Sequence, residues 1–325
     1  MHGYQKGHSD IWQEPDYTEN AWKFDPIIEV NWKALLKRKE LNQLPCFKYV
    51  SVASQSTSCQ SFSNSIAQLV HFIHDRAFVI RIQKEKSVFI DLAPFIEGAK
   101  SVEVTIFTEE GAHLRLDCSL RMNNVVSLCS LHIHAGPHSN IDIIENSIFA
   151  SSNISFQSIV FYAKKSSYIR YQKKDKGAIY NKSFIDAFLL EKNASLDISI
   201  IAQLGRLQYY SSVVKQQHCA TQTRSNVLFK TVHRDFSSSF YYGDVTIHKD
   251  AVYSEASQSH YALLLSKNAR AYALPSLQAK QNDIICTHGS AIGRLDEEQM
   301  WYLQSRGLEE KKAERLLVEA FLEKS

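Results

Sequence analysis

The sequence predicts a mainly β protein with helical ends, and three observations carry that class. From about residue 78 to 283, apolar and polar residues alternate with period two. No convincing amphipathic helix interrupts that stretch, so neither a βαβ fold nor a TIM barrel fits. Turn-forming residues also recur inside it at nearly constant intervals.

The first region, 1–77, reads as helical and irregular. Ile66, Leu69, Val70 and Ile73 have helical spacing, with Ser63 or Asn64 as the cap. The second, 78–283, is the β core. Val102/Val104/Ile106, Leu114/Leu116/Cys118/Leu120, Cys129/Leu131/Ile133, Ile141/Ile143, Ile198/Ile200 and Val245/Ile247 mark half-buried strands. Lys192-Asn193-Ala194, Lys249-Asp250-Ala251 and Lys267-Asn268-Ala269 interrupt that pattern, and Arg234-Asp235-Phe236 and His218-Cys219-Ala220 are weaker versions. Their recurrence favours stacked rungs of a β-solenoid over the alternative, a β-sandwich with irregular hairpins.

The third region, 284–325, is read as helical. Asp296 caps a helix with Gln299 at N3, and Glu297 and Glu298 suit the positive end of its dipole. This helix carries Met300, Trp301 and Leu303 and stops at Gly307. A second helix follows, with Ala313, Leu316, Leu317, Ala320 and Phe321 as its apolar stripe. The pair could cap the solenoid, dock a partner, or do both.

Composition narrows the function. The chain has 325 residues, 44% hydrophobic and 22% charged, enough for a substantial core. A net charge of +3 is the difference between 37 basic and 34 acidic residues. The short basic runs Lys37-Arg38-Lys39, Lys164-Lys165 and Lys173-Lys174 read as solvated faces, so no nucleic-acid partner is expected. No apolar run approaches the roughly 18 residues of a membrane span, and the first 20 residues lack a secretory core. A cytoplasmic protein without a membrane partner is the expectation. The six cysteines should then be thiols, none in a Cys-x-x-Cys pair and most of them small buried hydrophobes.

Cys286 and His288 are the pair that bears chemistry. At i and i+2 of an extended segment they face one side, so both could reach one metal or cluster. The alternative continues Ile284-Ile285 as a buried strand through Cys286 and turns at Thr287-His288-Gly289. His132, His134 and His138 form the other histidine group, read as exposed strand histidines. No phosphate loop, dinucleotide fingerprint or nucleophile elbow is present, so neither ATP hydrolysis nor those enzyme classes are expected.

The run Cys286-Thr287-His288-Gly289-Ser290, with Asp296-Glu297-Glu298, Trp301-Tyr302-Leu303 and Ser305-Arg306-Gly307, resembles the C-terminal signature of the SufB/SufD family of SUF iron–sulfur cluster assembly proteins. Asp244-Val245, Leu263-Leu264-Leu265, Lys267-Asn268-Ala269, Pro275, Leu277 and Asn282-Asp283 are similar in the same order, as is Trp22-Lys23-Phe24 near the N-terminus. Gly289-Ser290, where SufB members usually carry Glu-Ala, resembles the SufD branch. The resemblance implies a right-handed parallel β-helix between helical ends, working as a non-enzymatic scaffold. It implies pairing with SufB, a homodimer as an arrangement without that partner, and binding of the SufC ATPase through the C-terminal helices. On those helices Met300, Trp301, Leu303, Arg306, Gly307 and Leu317 become docking candidates. No cofactor would be held stably by the isolated chain; a transient iron–sulfur cluster would form at the partner interface, with His288 as a shared ligand and Cys286 beside it. The rival reading is a solenoid enzyme such as a polysaccharide lyase or acyltransferase. Such an enzyme needs clustered acids, whereas Asp142, Glu145, Asp186 and Asp197 are spread along the chain.

Overall fold

The structure, a computed structural model, describes residues 50–53, 76–92, 99–119, 121–122 and 126–323. The helix expected near Ile66–Ile73, the Trp22-Lys23-Phe24 element, Lys37-Arg38-Lys39, Cys46 and Cys59 lie outside the described residues. The strands fall into two sheets, and from β2 onward successive strands alternate between them, the short β6 apart. Sheet A orders β1 (Val50–Ala53), β2 (Arg76–Ile82), β4 (Ser101–Thr108), β7 (Val126–Ala135), β9 (Ile154–Ala163), β11 (Tyr180–Leu189), β13 (Tyr209–His218), β15 (Ser238–Ile247) and β17 (Arg270–Ala279). Sheet B orders β3 (Ser87–Asp91), β5 (His113–Asp117), β8 (Asn140–Phe149), β10 (Tyr168–Lys176), β12 (Ser195–Leu204), β14 (Arg224–His233), β16 (Glu255–Leu264) and β18 (Ile285–Arg294), with the short β6 (Arg121–Met122) also against β8. Every pairing is parallel except β1 with β2. The chain is therefore a parallel β-solenoid, each turn contributing one strand to each sheet. The strand pattern runs on through β18 to Arg294, so region 284–325 opens with a strand. Helices α1 (Glu297–Ser305) and α2 (Glu310–Glu323) follow it.

Corners explain both the repeat and the scarcity of glycine, only 11 in the chain. All five triplets seen in the sequence sit at corners. Their spacing measures half a turn, because corners alternate between the two edges of the solenoid. Along one edge Glu85, His138, Ser166, Asn193, Gln222 and Tyr253 adopt positive φ, with Gly111 in the same series. Left-handed backbone disfavours side chains, but here each such residue donates its N–H to the next turn. Asn193 bonds Thr221 O at 3.3 Å, Gln222 bonds Val252 O at 2.8 Å and Tyr253 bonds Asp283 O at 2.7 Å. After Glu85, a small residue follows each one (Ala112, Ser139, Ser167, Ala194, Thr223, Ser254), fully buried where the chain bends inward.

Alternation then fills the interior. Inward residues of β4, β5, β8 and β12, such as Val104, Ile106, Leu116, Ile143, Ile198 and Ile200, belong to one apolar cluster. The outward face of sheet A is buried as well, around Phe156, Tyr180, Tyr209 and Phe240. His132 and His134 point outward as expected, but they are not exposed. His132 is buried and within 2.8 Å of Ser130 Oγ, while His134 is stacked between Phe107 (4.4 Å) and Tyr162 (4.5 Å). His138 occupies a corner.

Sheet B's outward face receives α2. Val318, Phe321 and Leu322 pack on Val232 and Leu263, with Leu265 and Leu295 alongside. The stripe expected at Ala313, Leu316, Leu317, Ala320 and Phe321 is rotated by about one residue. Leu316 is 47% exposed and Ala320 faces solvent, whereas Val318 is buried. The reason is a set of polar anchors: Arg234 pairs with Glu314, and Lys230 Nζ donates to Phe321 O at 2.7 Å. The cap of α1 forms as expected, Asp296 accepting from Glu298 N at 2.9 Å and Gln299 N at 3.3 Å, and Gly307 ends the helix at φ +91°.

Candidate functional site at the open end of the solenoid

Two lanes of inward side chains run along the solenoid axis. On sheet A one register line reads Cys129, Gln157, Ser183, Ser212, Tyr241. On sheet B a line reads Glu145, Lys173, Ile200, Phe229, His260, Ser290. In the middle turns they meet in a charged cluster that the sequence did not reveal. Lys173, read as part of a solvated basic run, is buried at 1% exposure, with Nζ 3.4 Å from Glu145 and 3.2 Å from Asp175. Glu145 also accepts from Ser147 Oγ (2.7 Å), Gln157 Nε2 (3.2 Å) and Tyr171 Oη (2.6 Å). The one available signal was a lysine at an inward position of the alternating pattern in β10.

Electrostatics follow from that geometry. Burial would lower the Lys173 ammonium, but Asp175 and Glu145 outweigh it and hold its pKa above the usual value. Burial lifts Asp175 to about 6, Lys173 pulling the other way. Burial likewise pushes the Cys129 thiol up to about 12 and Cys118 well above its ordinary value, so both are inert thiols. Cys118, Cys129, Glu145 and Gln157 line a small cavity of about 20 Å³.

At the other end the same interior comes to the surface. Among the described residues nothing pairs with the outer edges of β17 and β18. β18 stays extended through His288, so the alternative turn at Thr287-His288-Gly289 is not formed. Cys286, His288 and Ser290 alternate on its inner side. Cys286 packs against Val245, Ile247, Ala251 and Ala256, and Ser290 Oγ lies 3.0 Å from His260 Nδ1. The pair is thus asymmetric. Burial raises the Cys286 thiol, a backbone hydrogen bond at Ala256 acting against it, while the His288 ring is exposed. Around them Tyr272, Leu274, Leu277, Ile285 and Ile292 are exposed large apolar side chains on the terminal turn.

Of the helical candidates, Trp301 is 71% exposed, and Arg306 stacks over Tyr302 at 5.2 Å. Gly307 is exposed, and Met300, Leu303 and Leu317 are half-buried. These positions share the C-terminal end of the chain with His288. Of the acids that a solenoid enzyme would need, Asp142 and Asp197 share a register line on either side of Arg170, and each is engaged by a neighbouring side chain. Asp142 is held below its usual range by a two-pronged bond from Arg170 (2.9 and 2.8 Å), Asp197 accepts from Tyr168 Oη at 2.7 Å, and Glu145 is enclosed in the interior. No group of three or more His, Cys, Asp or Glu side chains among the described residues is placed to hold a metal. No helix among them is long and apolar enough to cross a membrane.

Fold and site together define a β-solenoid that presents a thiol and an imidazole on a terminal turn left unpaired among the described residues. The chain belongs to the SufBD family: residues 96–321 match the SUF system FeS cluster assembly, SufBD core domain. It is 26% identical over 157 residues to the iron–sulfur cluster assembly protein SufD of Escherichia coli (strain K12), covering 46% of this chain and 37% of that protein. A SufBD family protein of Mycobacterium leprae (strain TN) is 34% identical over 122 residues, 35% of this chain and 31% of the relative. One from Synechocystis sp. is 26% identical over 231 residues, 68% of this chain and 49% of the relative. The matched stretches therefore span about half or less of each relative's length.

Proposed function

We propose that this chain is a SufD-like, non-enzymatic cytoplasmic scaffold whose open terminal turn is completed by a SufB-type paralogue. The observation that carries the reading is the pair of edges at β17 and β18, unpaired among the described residues, with His288 exposed on the inner lane. Exposed strand edges are normally blunted or covered. These are long and bear large apolar side chains instead, which suits strand addition by a partner of the same fold. Thiolate with imidazole is an accepted ligand combination for iron–sulfur clusters. One strand face offers only His288 and Cys286, so the partner supplies the remaining donors and the cluster is transient cargo of the assembled pair. Helices α1 and α2, with Trp301 and Tyr302 facing solvent, serve as the docking surface for a SufC-type ATPase.

The test is His288→Ala in the co-expressed assembly. The complex should elute intact while cluster absorption is lost; cluster formation at the wild-type level refutes the role given to His288.

A further inference from the structure

Beneath the exposed imidazole lies a buried, polar floor. In the β16–β18 ladder His288 lies over Gln258, and Ser290 lies over His260. Neighbouring strands are about 4.8 Å apart, so the members of each pair lie side by side, and His260 Nδ1 and Ser290 Oγ are in contact at 3.0 Å. Gln258 is 2% exposed and donates Nε2 to Gln216 Oε1 at 2.7 Å, yet its own Oε1 is enclosed without a hydrogen-bond partner among the described residues. A buried acceptor left unmatched is unfavourable, and native proteins rarely keep one without use. The space for it is created by Gly243. Gln258 Oε1 reaches across the interior to Gly243 on sheet A, where a Cβ would strike that oxygen first, then Cδ at 2.8 Å and Tyr241 Oη at 2.8 Å. The neighbouring position is rigid. His260 stacks on Tyr241 at 5.6 Å and on Phe229 at 5.5 Å, and its contact with Ser290 ties down the strand that carries His288.

We propose that Gln258 is a positioning residue for His288: its Oε1 accepts the ring N–H, fixing the tautomer and turning the other ring nitrogen toward the open end. The inference rests on the reading of His288 as a cluster ligand. The chemistry is general, since a ligating imidazole ordinarily gives its second N–H to an oxygen acceptor. Loss of that acceptor weakens metal binding by about 10–100-fold.

The experiment uses the full chain with ¹⁵N-labelled histidine, reading the His288 tautomer from its ring nitrogen shifts at alkaline pH. Co²⁺ is titrated as the metal probe into the co-expressed assembly, where the partner supplies the donors this chain lacks. Wild type should show one dominant tautomer. Gln258→Met, which removes the acceptor at similar volume, should show both tautomers and bind Co²⁺ about tenfold or more weakly. Gly243→Ala, which displaces the amide, should behave like Gln258→Met. Gln258→Glu keeps an acceptor and should restore the single tautomer, which a merely structural role for the side chain would not do. The inference is overturned if Gln258→Met leaves tautomer and Co²⁺ affinity unchanged, or if Gln258→Glu fails in the same way as Gln258→Met. If instead His288→Ala binds Co²⁺ like wild type, the ligand role of His288 falls, and this inference with it.

Discussion

The middle turns and the terminal turn place polar groups on the same inner lane under opposite conditions. At Lys173 the charge is enclosed and answered from both sheets: Glu145 and Asp175 flank the ammonium, and Gln157 and Tyr171 bond Glu145 in turn. At His288 the lane reaches a strand with nothing stacked beyond it among the described residues, and the residue is exposed. The comparison teaches that this solenoid tolerates polar interior groups where a neighbouring turn satisfies them. At the terminal turn, Gln258 Oε1 and His260 Nε2 are buried without a hydrogen-bond partner among the described residues, directly beneath the strand that carries His288.

The largest way to break that contrast is Lys173→Ala. It leaves two buried carboxylates facing each other, so unfolding by urea should show a loss of about 3–5 kcal/mol. A loss below about 1 kcal/mol would mean that the cluster is hydrated rather than enclosed. The pH profile sharpens the same point. Burial lowers His134, His218, His233 and His260 to about 4, from 6.5. The unfolded chain therefore binds more protons between those values, and these groups make stability rise with pH through that window. Asp175, raised to about 6, acts in reverse, its contribution complete below about 4 and lost as pH climbs through 6. Four groups outweigh one, so denaturation midpoints should rise from pH 4 to 6.5, and Asp175→Asn should steepen the rise. A falling midpoint would contradict the histidine burial.

Smaller effects belong to the docked helix and the open end. Val318→Ala removes two methyl groups from the contact of α2 with Val232 and Leu263. At about 0.8 kcal/mol each, the cost is about 1–2 kcal/mol, visible as faster amide exchange confined to α2. His288→Ala should change the urea midpoint least, by no more than about 0.5 kcal/mol, because an exposed ring makes little contact. A large loss there would show that the terminal turn is packed like the middle ones.

Much of this architecture was legible from residues alone. Period-two alternation fixed the inward faces of β4, β5, β8 and β12, and Asn193 and Asp235 marked corners because their side chains tolerate left-handed backbone. The cap at Asp296 was readable because it is local. What escaped depends on contacts between distant turns. Lys173 looked like surface because a dilysine says nothing of which member points inward, and its carboxylate partner Glu145 lies on the preceding turn. Histidines 132 and 134 were assigned the right face, but burial of that face is a tertiary property. The rotation of α2 comes from Arg234 and Lys230, far away in sequence. Gln258 beneath His288 could be found only once the register between β16 and β18 was known.

Hydrogen–deuterium exchange across Arg270–Ala279 and Ile285–Arg294, with and without a SufB-type partner, tests the account most directly. In the chain alone these strands should exchange well ahead of β9 to β12, and partner binding should protect them while leaving the middle turns unchanged. Equal exchange of the terminal strands in both states would contradict the claim that another chain completes the solenoid at this end.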